Sequence, residues 1–206
     1  MIPLPDFMSI VSKEEVLKSK RKYLKLLDSS VFIYPTDSIY GLGCDATNKE
    51  LVQKIRRMKK SNLQSFSIIA PSKKWVYENC EVGERQKVYV EKLGSKINIV
   101  DKKHCFTIIL KLKNKDAVAK NVTQGVETIG VRIPDHWFSE IVADFGKPII
   151  TTSANPTGEN FMTSLEDLND KIKKAVDFII YEGEKKGHPS TIIQYEDKLK
   201  VKDRSK

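Results

Sequence analysis

The run Tyr34-Pro35-Thr36-Asp37-Ser38-Ile39-Tyr40-Gly41-Leu42-Gly43-Cys44-Asp45-Ala46 gathers hydroxyls, a carboxylate, tyrosine and two glycines directly after the apolar Val31-Phe32-Ile33. The apolar residues read as a buried strand, so the polar ones stand at its end. Pro35 sets its own φ, while Gly41 and Gly43 permit turns or a close ligand approach that a β-carbon would block. Alone, the stretch reads equally well as a strand-to-helix turn. The second half adds Glu127-Thr128-Ile129-Gly130-Val131-Arg132-Ile133-Pro134, Ile149-Ile150-Thr151-Thr152-Ser153-Ala154-Asn155-Pro156-Thr157-Gly158 and His188-Pro189-Ser190-Thr191-Ile192-Ile193. Polar residues at strand ends cost stability when buried unpaired, so several such ends face a cleft or one another. A guanidinium such as Arg132 matches a carboxylate with two parallel hydrogen bonds, and a Ser-Ala-Asn turn can hold phosphate oxygens. Their bland counterparts are an arginine on an edge strand and a surface turn before Pro156.

These residues need elements to hold them. Ser12-Lys13-Glu14-Glu15 forms a capping box for a first helix carrying Val16, Tyr23, Leu24 and Leu27 inward. A strand over Val31–Tyr34 follows, then a helix capped by Asn48 or Thr47. Its Leu51, Val52, Ile55 and Met58 face inward, and Lys54, Arg56, Arg57 and Lys59 largely outward. Ser67–Ala70 reads as a short strand and Lys73–Leu93 as helical with breaks. Phe106–Leu112 and Thr128–Ile133 read as strands, and a helix runs through Trp137, Ile141 and Phe145. Pro148–Thr151 is a strand entering the Ser153 turn, Leu165–Ala175 an amphipathic segment, and Phe178–Ile180, Thr191–Ile193 and Leu199–Lys202 are late strands. Strands and helices mix without strict alternation, which implies an α/β fold, a twisted mixed β-sheet flanked by helices. With no repeat or linker, residues 1–206 read as a single domain whose motif-bearing core is about 31–194.

At 206 residues with 40% hydrophobic content, the chain can bury a core without disulfide staples. Met1-Ile2-Pro3-Leu4-Pro5-Asp6 lacks a signal peptide's charged head and apolar block, and no run reaches bilayer-spanning length. Cys44, Cys80 and Cys105 lack metal-site spacing and read as reduced cytosolic thiols, so the expected location is cytoplasmic. Cys44 reads as a small buried thiol rather than a nucleophile. His104, His136 and His188 lie on separate segments without metal-ligand spacing. The formal charge of +9, from 36 basic and 27 acidic residues, suits ATP, RNA and acidic partners. The lysines are spread along the chain, as solvated helix faces are.

The four polar segments, in this order, resemble the YrdC-like family of threonylcarbamoyl-AMP synthases. The blocks of that family are a P-T-D-T-x-Y-G-L turn, a K-x-R segment, a G-x-R-x-P strand, an S-A-N-x-S-G turn and an S-T-V-x-D strand. The resemblance spans about Val31 to Gln194. It implies a reaction joining L-threonine, bicarbonate and ATP into threonylcarbamoyl-AMP with release of pyrophosphate, for modification of an adenosine in tRNA. It further implies Mg²⁺ with the nucleotide, tRNA contact through the basic surface and a downstream threonylcarbamoyl transferase. Ser38, Tyr40, Arg132, Thr151 and Thr191 match threonine contacts, with Arg132 the clamp for the α-carboxylate. Lys59, Ser61, Thr128, Ser153, Asn155, Ser190 and Arg204 match positions around ATP. Both steps crowd anionic groups together, so the site needs cations and oriented donors rather than a covalent nucleophile.

The K-x-R block departs from the family pattern. Lys59 falls on its lysine, but Ser61 stands in place of the arginine and Ser65 in place of the second lysine or asparagine. Losing a charge-assisted phosphate contact removes roughly 1.5–3 kcal/mol, a deficit that Lys60 or Arg57 could offset. Lys103-His104 replaces a P-G pair, Phe161 displaces a serine, and Gln194 ends the late strand where the family has aspartate. The rival reading is a YciO-like RNA-binding or regulatory protein on the same fold. The synthase reading requires the guanidinium at 132 and the hydroxyls at 38 and 153 to share one hollow.

Overall fold

The first helix starts where the capping residues put it. In this computed structural model, which describes residues 9–60, 64–99, 102–195 and 198–204, Ser12 Oγ accepts from the Glu15 N–H at 3.2 Å. The described elements in chain order are β1 (Ser9–Val11), α1 (Lys13–Lys18), α2 (Lys20–Leu27), β2 (Phe32–Tyr34), β3 (Gly41–Gly43), α3 (Lys49–Lys59) and β4 (Ser67–Ile69). There follow α4 (Lys73–Asn79), β5 (Cys80–Glu81), α5 (Glu84–Val90), β6 (Ile97–Ile99), β7 (Lys102–His104), β8 (Phe106–Leu112), α6 (Lys120–Thr123) and β9 (Thr128–Arg132). The last are α7 (Phe138–Phe145), β10 (Ile149–Ser153), α8 (Asp170–Ala175), β11 (Phe178–Ile180), β12 (Thr191–Tyr195) and β13 (Leu199–Lys202).

One mixed sheet runs in the order β1-β11-β2-β3-β10-β4-β9-β8-β12-β13, with β5 paired to β8. Strand β2 is parallel to β11 but antiparallel to β3, and β8 is antiparallel to β9 but parallel to β12. Alternation along β2 splits the core into two layers. Phe32 and Tyr34 pack with Val16 of α1, Leu27 of α2 and Phe138 and Ile141 of α7. Ile33 faces the other way, with Val52 and Ile55 of α3 and Ile172 of α8. Helices therefore cover both faces, as the mixed order implied.

Three local expectations change. Gly41–Gly43 is a strand, so the polar motif is the loop of a β2–β3 hairpin with Ile33 opposite Leu42. Glycine has low strand preference, but here no side chain would fit. A Cβ on Gly41 would lie 2.7 Å from Tyr34 Cζ, and one on Gly43 would lie 2.5 Å from the Ile150 carbonyl oxygen. The segment expected to be amphipathic from Leu165 is helical only from Asp170, because the Asn169 side chain accepts from the Lys171 and Ile172 N–H groups. On α3, Asn48 caps as expected, but Arg56 and Lys59 are buried rather than outward, at 1% and 5% exposure. Arg56 donates to the carbonyls of Asn121, Gln64 and Val122 and sits over the Phe66 ring. These bonds offset the cost of burying its charge and pin the chain entering β4.

Candidate functional site

The register across six strands lays a row of small polar residues on one sheet face. Thr151 on β10 stands opposite Ser67 on β4, and Ser67 opposite Gly130 on β9. Two residues beyond Gly130, hence on the same face, is Arg132. Thr107 on β8 pairs with Ile192 on β12, and Ile192 with Lys202 on β13. Gly130 leaves room there: a Cβ would lie 2.2 Å from Ser67 Oγ. Above this floor opens a cavity of about 490 Å³. Thr36, Tyr40 and Gly41 of the hairpin, Gln64–Ser67 before and on β4, Thr151–Ser153, Thr157, Pro189, Ser190 and Arg204 complete its wall with Lys59.

Arg132 reaches the cavity from the end of β9. Its Nη2 donates to Asp37 Oδ1 at 2.5 Å and its Nη1 to Ser38 Oγ at 3.4 Å. Its Nε is buried without a partner. The other oxygen of Asp37 accepts from the Asp135 N–H at 2.9 Å, so the loop carboxylate ties the hairpin to the turn after β9. Both side chains of the ion pair are nearly inaccessible, at 6% and 5%. A buried pair of this kind sets geometry more than it adds stability.

Lys59, at the last turn of α3, extends beneath the turn that follows β10. Its Nζ donates to the Ser153 carbonyl at 2.8 Å, Ser153 Oγ at 3.3 Å and Asn155 Oδ1 at 3.1 Å. Burial brings its pKa down to about 8. Asn155 donates its amide to the Glu159 carbonyl, which holds the turn closed. Across the cavity, Arg204 donates from Nε to the Ser190 carbonyl at 2.7 Å and from Nη2 to Ser190 Oγ at 3.0 Å, and that hydroxyl meets Thr107 Oγ1 at 2.8 Å.

The segment between β11 and β12 straps the cavity. Tyr40 Oη donates to the Gly183 carbonyl at 2.6 Å and accepts from the Glu182 N–H at 3.1 Å. The Glu182 carboxylate accepts from Trp137 Nε1 at 2.7 Å, pairs with His136 Nε2 at 2.9 Å and bonds to Lys185. Against the upward pull of burial, those donors bring its pKa down to about 2. Gly187 passes so close to the hairpin that a Cβ would lie 2.2 Å from the Ser38 carbonyl oxygen.

The sequence-expected residues fall into three sets. Tyr40, Thr151, Arg132, Lys59, Ser153, Ser190 and Arg204 line the cavity. Ser38, Asn155 and Thr191 lie one step behind it. They bond to Arg132, to Lys59 and, for the Thr191 hydroxyl, to His104 Nδ1 at 3.0 Å. Thr128 shares the face of Arg132 but stands opposite Lys111 at the far end of β9, about 13 Å along the strand, and is absent from the cavity wall. Ser61 lies outside the described residues. Neither Arg57 nor Lys60 is in the wall. The Cys44 thiol is fully buried, donates to the Asp45 carbonyl, and burial pushes its pKa well up, which fits the reading of a packed thiol. Sequence reasoning missed Ser67, Thr107 and Lys202, and it left Asp37 open between a site role and a cap of the next turn. Only the cross-strand register, Ser67 opposite Gly130 and Ile192 opposite both Thr107 and Lys202, puts these three on this face.

A "Putative threonylcarbamoyl-AMP synthase" from Methanocaldococcus jannaschii is 33% identical over 192 residues, covering 89% of this chain and 84% of that protein. Two solved structures share the fold. P. abyssi Sua5 complexed with L-threonine has a TM-score of 0.79 at 21% identity, covering 95% of this chain and 56% of that longer one. E. coli YciO has a TM-score of 0.78 at 22% identity, covering 97% and 95%. The Sua5/YciO/YrdC family model, described as "Telomere recombination", matches residues 25–204. With nearly the whole length matched, the chain belongs to the Sua5/YciO/YrdC family.

Proposed function

We propose that this chain, acting as one domain over residues 1–206, is a threonylcarbamoyl-AMP synthase. It condenses L-threonine, bicarbonate and ATP into threonylcarbamoyl-AMP and releases pyrophosphate, for transfer to an adenosine in tRNA by a downstream enzyme in the cytoplasm. The observation that carries this reading is the convergence on one cavity of Arg132, whose buried Nε lacks a partner, and the Lys59–Ser153–Asn155 cluster.

In this scheme the threonine amine condenses with bicarbonate, losing water, to form a carbamate. A carbamate oxygen then attacks the α-phosphorus while the bond to pyrophosphate breaks. Arg132 receives the α-carboxylate, and Asp37 and Ser38 hold the guanidinium in place. Thr151 and the Tyr40 ring bound the side-chain end. Lys59 aligns the Ser153 turn toward the phosphates, and Ser190 with Arg204 faces the nucleotide from the opposite wall. Such work is positioning and charge stabilisation. In this scheme Mg²⁺ enters as part of the MgATP substrate. No described helix is long and apolar enough to cross a membrane.

The test is direct. Purified protein is incubated with MgATP, bicarbonate and labelled threonine, and the mixed anhydride and pyrophosphate are followed. Both products should require threonine and bicarbonate together. Turnover indifferent to threonine would refute the reading. Steeply salt-dependent RNA binding without turnover would return the chain to the YciO-like alternative.

A further inference from the structure

Four cationic side chains line the cavity, and three of them already donate to protein groups. Lys59 spends its three N–H donors on three acceptors of the Ser153–Asn155 turn. Arg132 pairs with Asp37 and is assigned to the threonine carboxylate. Arg204 donates from Nε and Nη2 to Ser190. Lys202 differs: it lines the cavity, it is exposed, and among the described residues no hydrogen bond or ion pair reaches its side chain. Register confirms its aim, since Lys202 pairs with Ile192 and Ile192 with Thr107, both in the same wall. Arg204 follows two residues later.

A polyphosphate brings several negative charges, and each needs an uncommitted donor. The stretch after α3 offers a serine at 61 where the family pattern has arginine, and neither Arg57 nor Lys60 enters the wall. We propose that Lys202 is the polyphosphate-binding cation of this chain, placed on the last strand and acting from the opposite side of the cavity to α3. This rests on the synthase reading. A lysine acts as a mobile point charge, so it can meet a phosphate without breaking an existing bond. Partial burial and the nearby Arg132 charge lower the Arg204 pKa, which marks this end of the cavity as short of anions.

Calorimetric titration of the full chain with MgATP, and separately with AMP, tests the idea on Lys202→Ala and Lys202→Arg. An exposed side chain without partners can be removed without unfolding, which thermal melting checks. Loss of one charge-assisted contact at the weak end of its range predicts about a tenfold loss of MgATP affinity in Lys202→Ala. AMP affinity should stay unchanged, and Lys202→Arg should recover most of the loss. A fall of less than twofold for MgATP, or an equal fall for AMP, would overturn the assignment. If wild-type protein binds neither nucleotide, the synthase reading itself fails, and that outcome is distinct from a silent Lys202.

Discussion

Substituting Lys59→Met exposes the electrostatic cost of setting an ammonium beneath the Ser153 turn. Lys59 is 5% exposed, and burial lowers its pKa from 10.5 to about 8. The unfolded chain keeps the ordinary value. Between about pH 8 and 10.5 the unfolded state therefore holds more protons, and native stability rises with pH. The Lys59 contribution is complete above about pH 10.5 and is lost as pH falls through about 8. The gap between 10.5 and about 8 corresponds to about 3 kcal/mol in full, most of it gained between roughly pH 7 and 10. Methionine keeps the length and removes the charge. It also strands three acceptors, the Ser153 carbonyl, Ser153 Oγ and Asn155 Oδ1. That penalty does not vary with pH, and other titrating groups cancel between the two proteins. Urea unfolding of both proteins at intervals over this range measures the difference. The stability of wild type relative to variant should climb by about 2–3 kcal/mol as pH rises. A flat difference would show that the three acceptors restore what burial removes, and the argument for a strained cation at this turn would be wrong.

Two further perturbations probe the other walls. Arg132→Ala should weaken threonine binding by at least about tenfold and cost about 3–5 kcal/mol, because the Asp37 carboxylate is left buried without its partner. Adding Asp37→Asn to that variant should restore part of the stability and none of the threonine affinity. Equilibrium dialysis with labelled threonine and urea unfolding separate the two effects, and unchanged threonine affinity would sink the clamp assignment. Gly187→Ala forces a β-carbon to within 2.2 Å of the Ser38 carbonyl oxygen, so the strap must lift. Stability should fall by about 1–3 kcal/mol and the KM for threonine should rise several-fold. If steady-state kinetics and melting both match wild type, the strap does not hold the hairpin loop.

Much of this arrangement is legible in the residues. The Ser12 and Asn48 caps, the apolar runs of β2, β8 and β11 and the polar segments at strand ends are local features, so local rules find them. The misplacements share one cause. Gly41–Gly43 is a strand because it pairs with β2 and with the distant β10. Arg56 is buried only because the carbonyls of Asn121 and Val122, far along the chain, meet it.

Sequence alone determined that four separated segments would carry hydroxyls, an arginine and a Ser-Ala-Asn turn, and that a basic, largely helix-and-strand chain would hold them. Tertiary structure decided which of those groups face one another. Alternation tells which residues of a strand share a face. It cannot tell which distant strands become neighbours, or at what register. The pairing of β10 with β4, β4 with β9, and β12 with β8 and β13 is what puts Thr151, Ser67, Arg132, Thr107 and Lys202 around one cavity. It is also what turns Asp37 from a turn residue into the partner of Arg132.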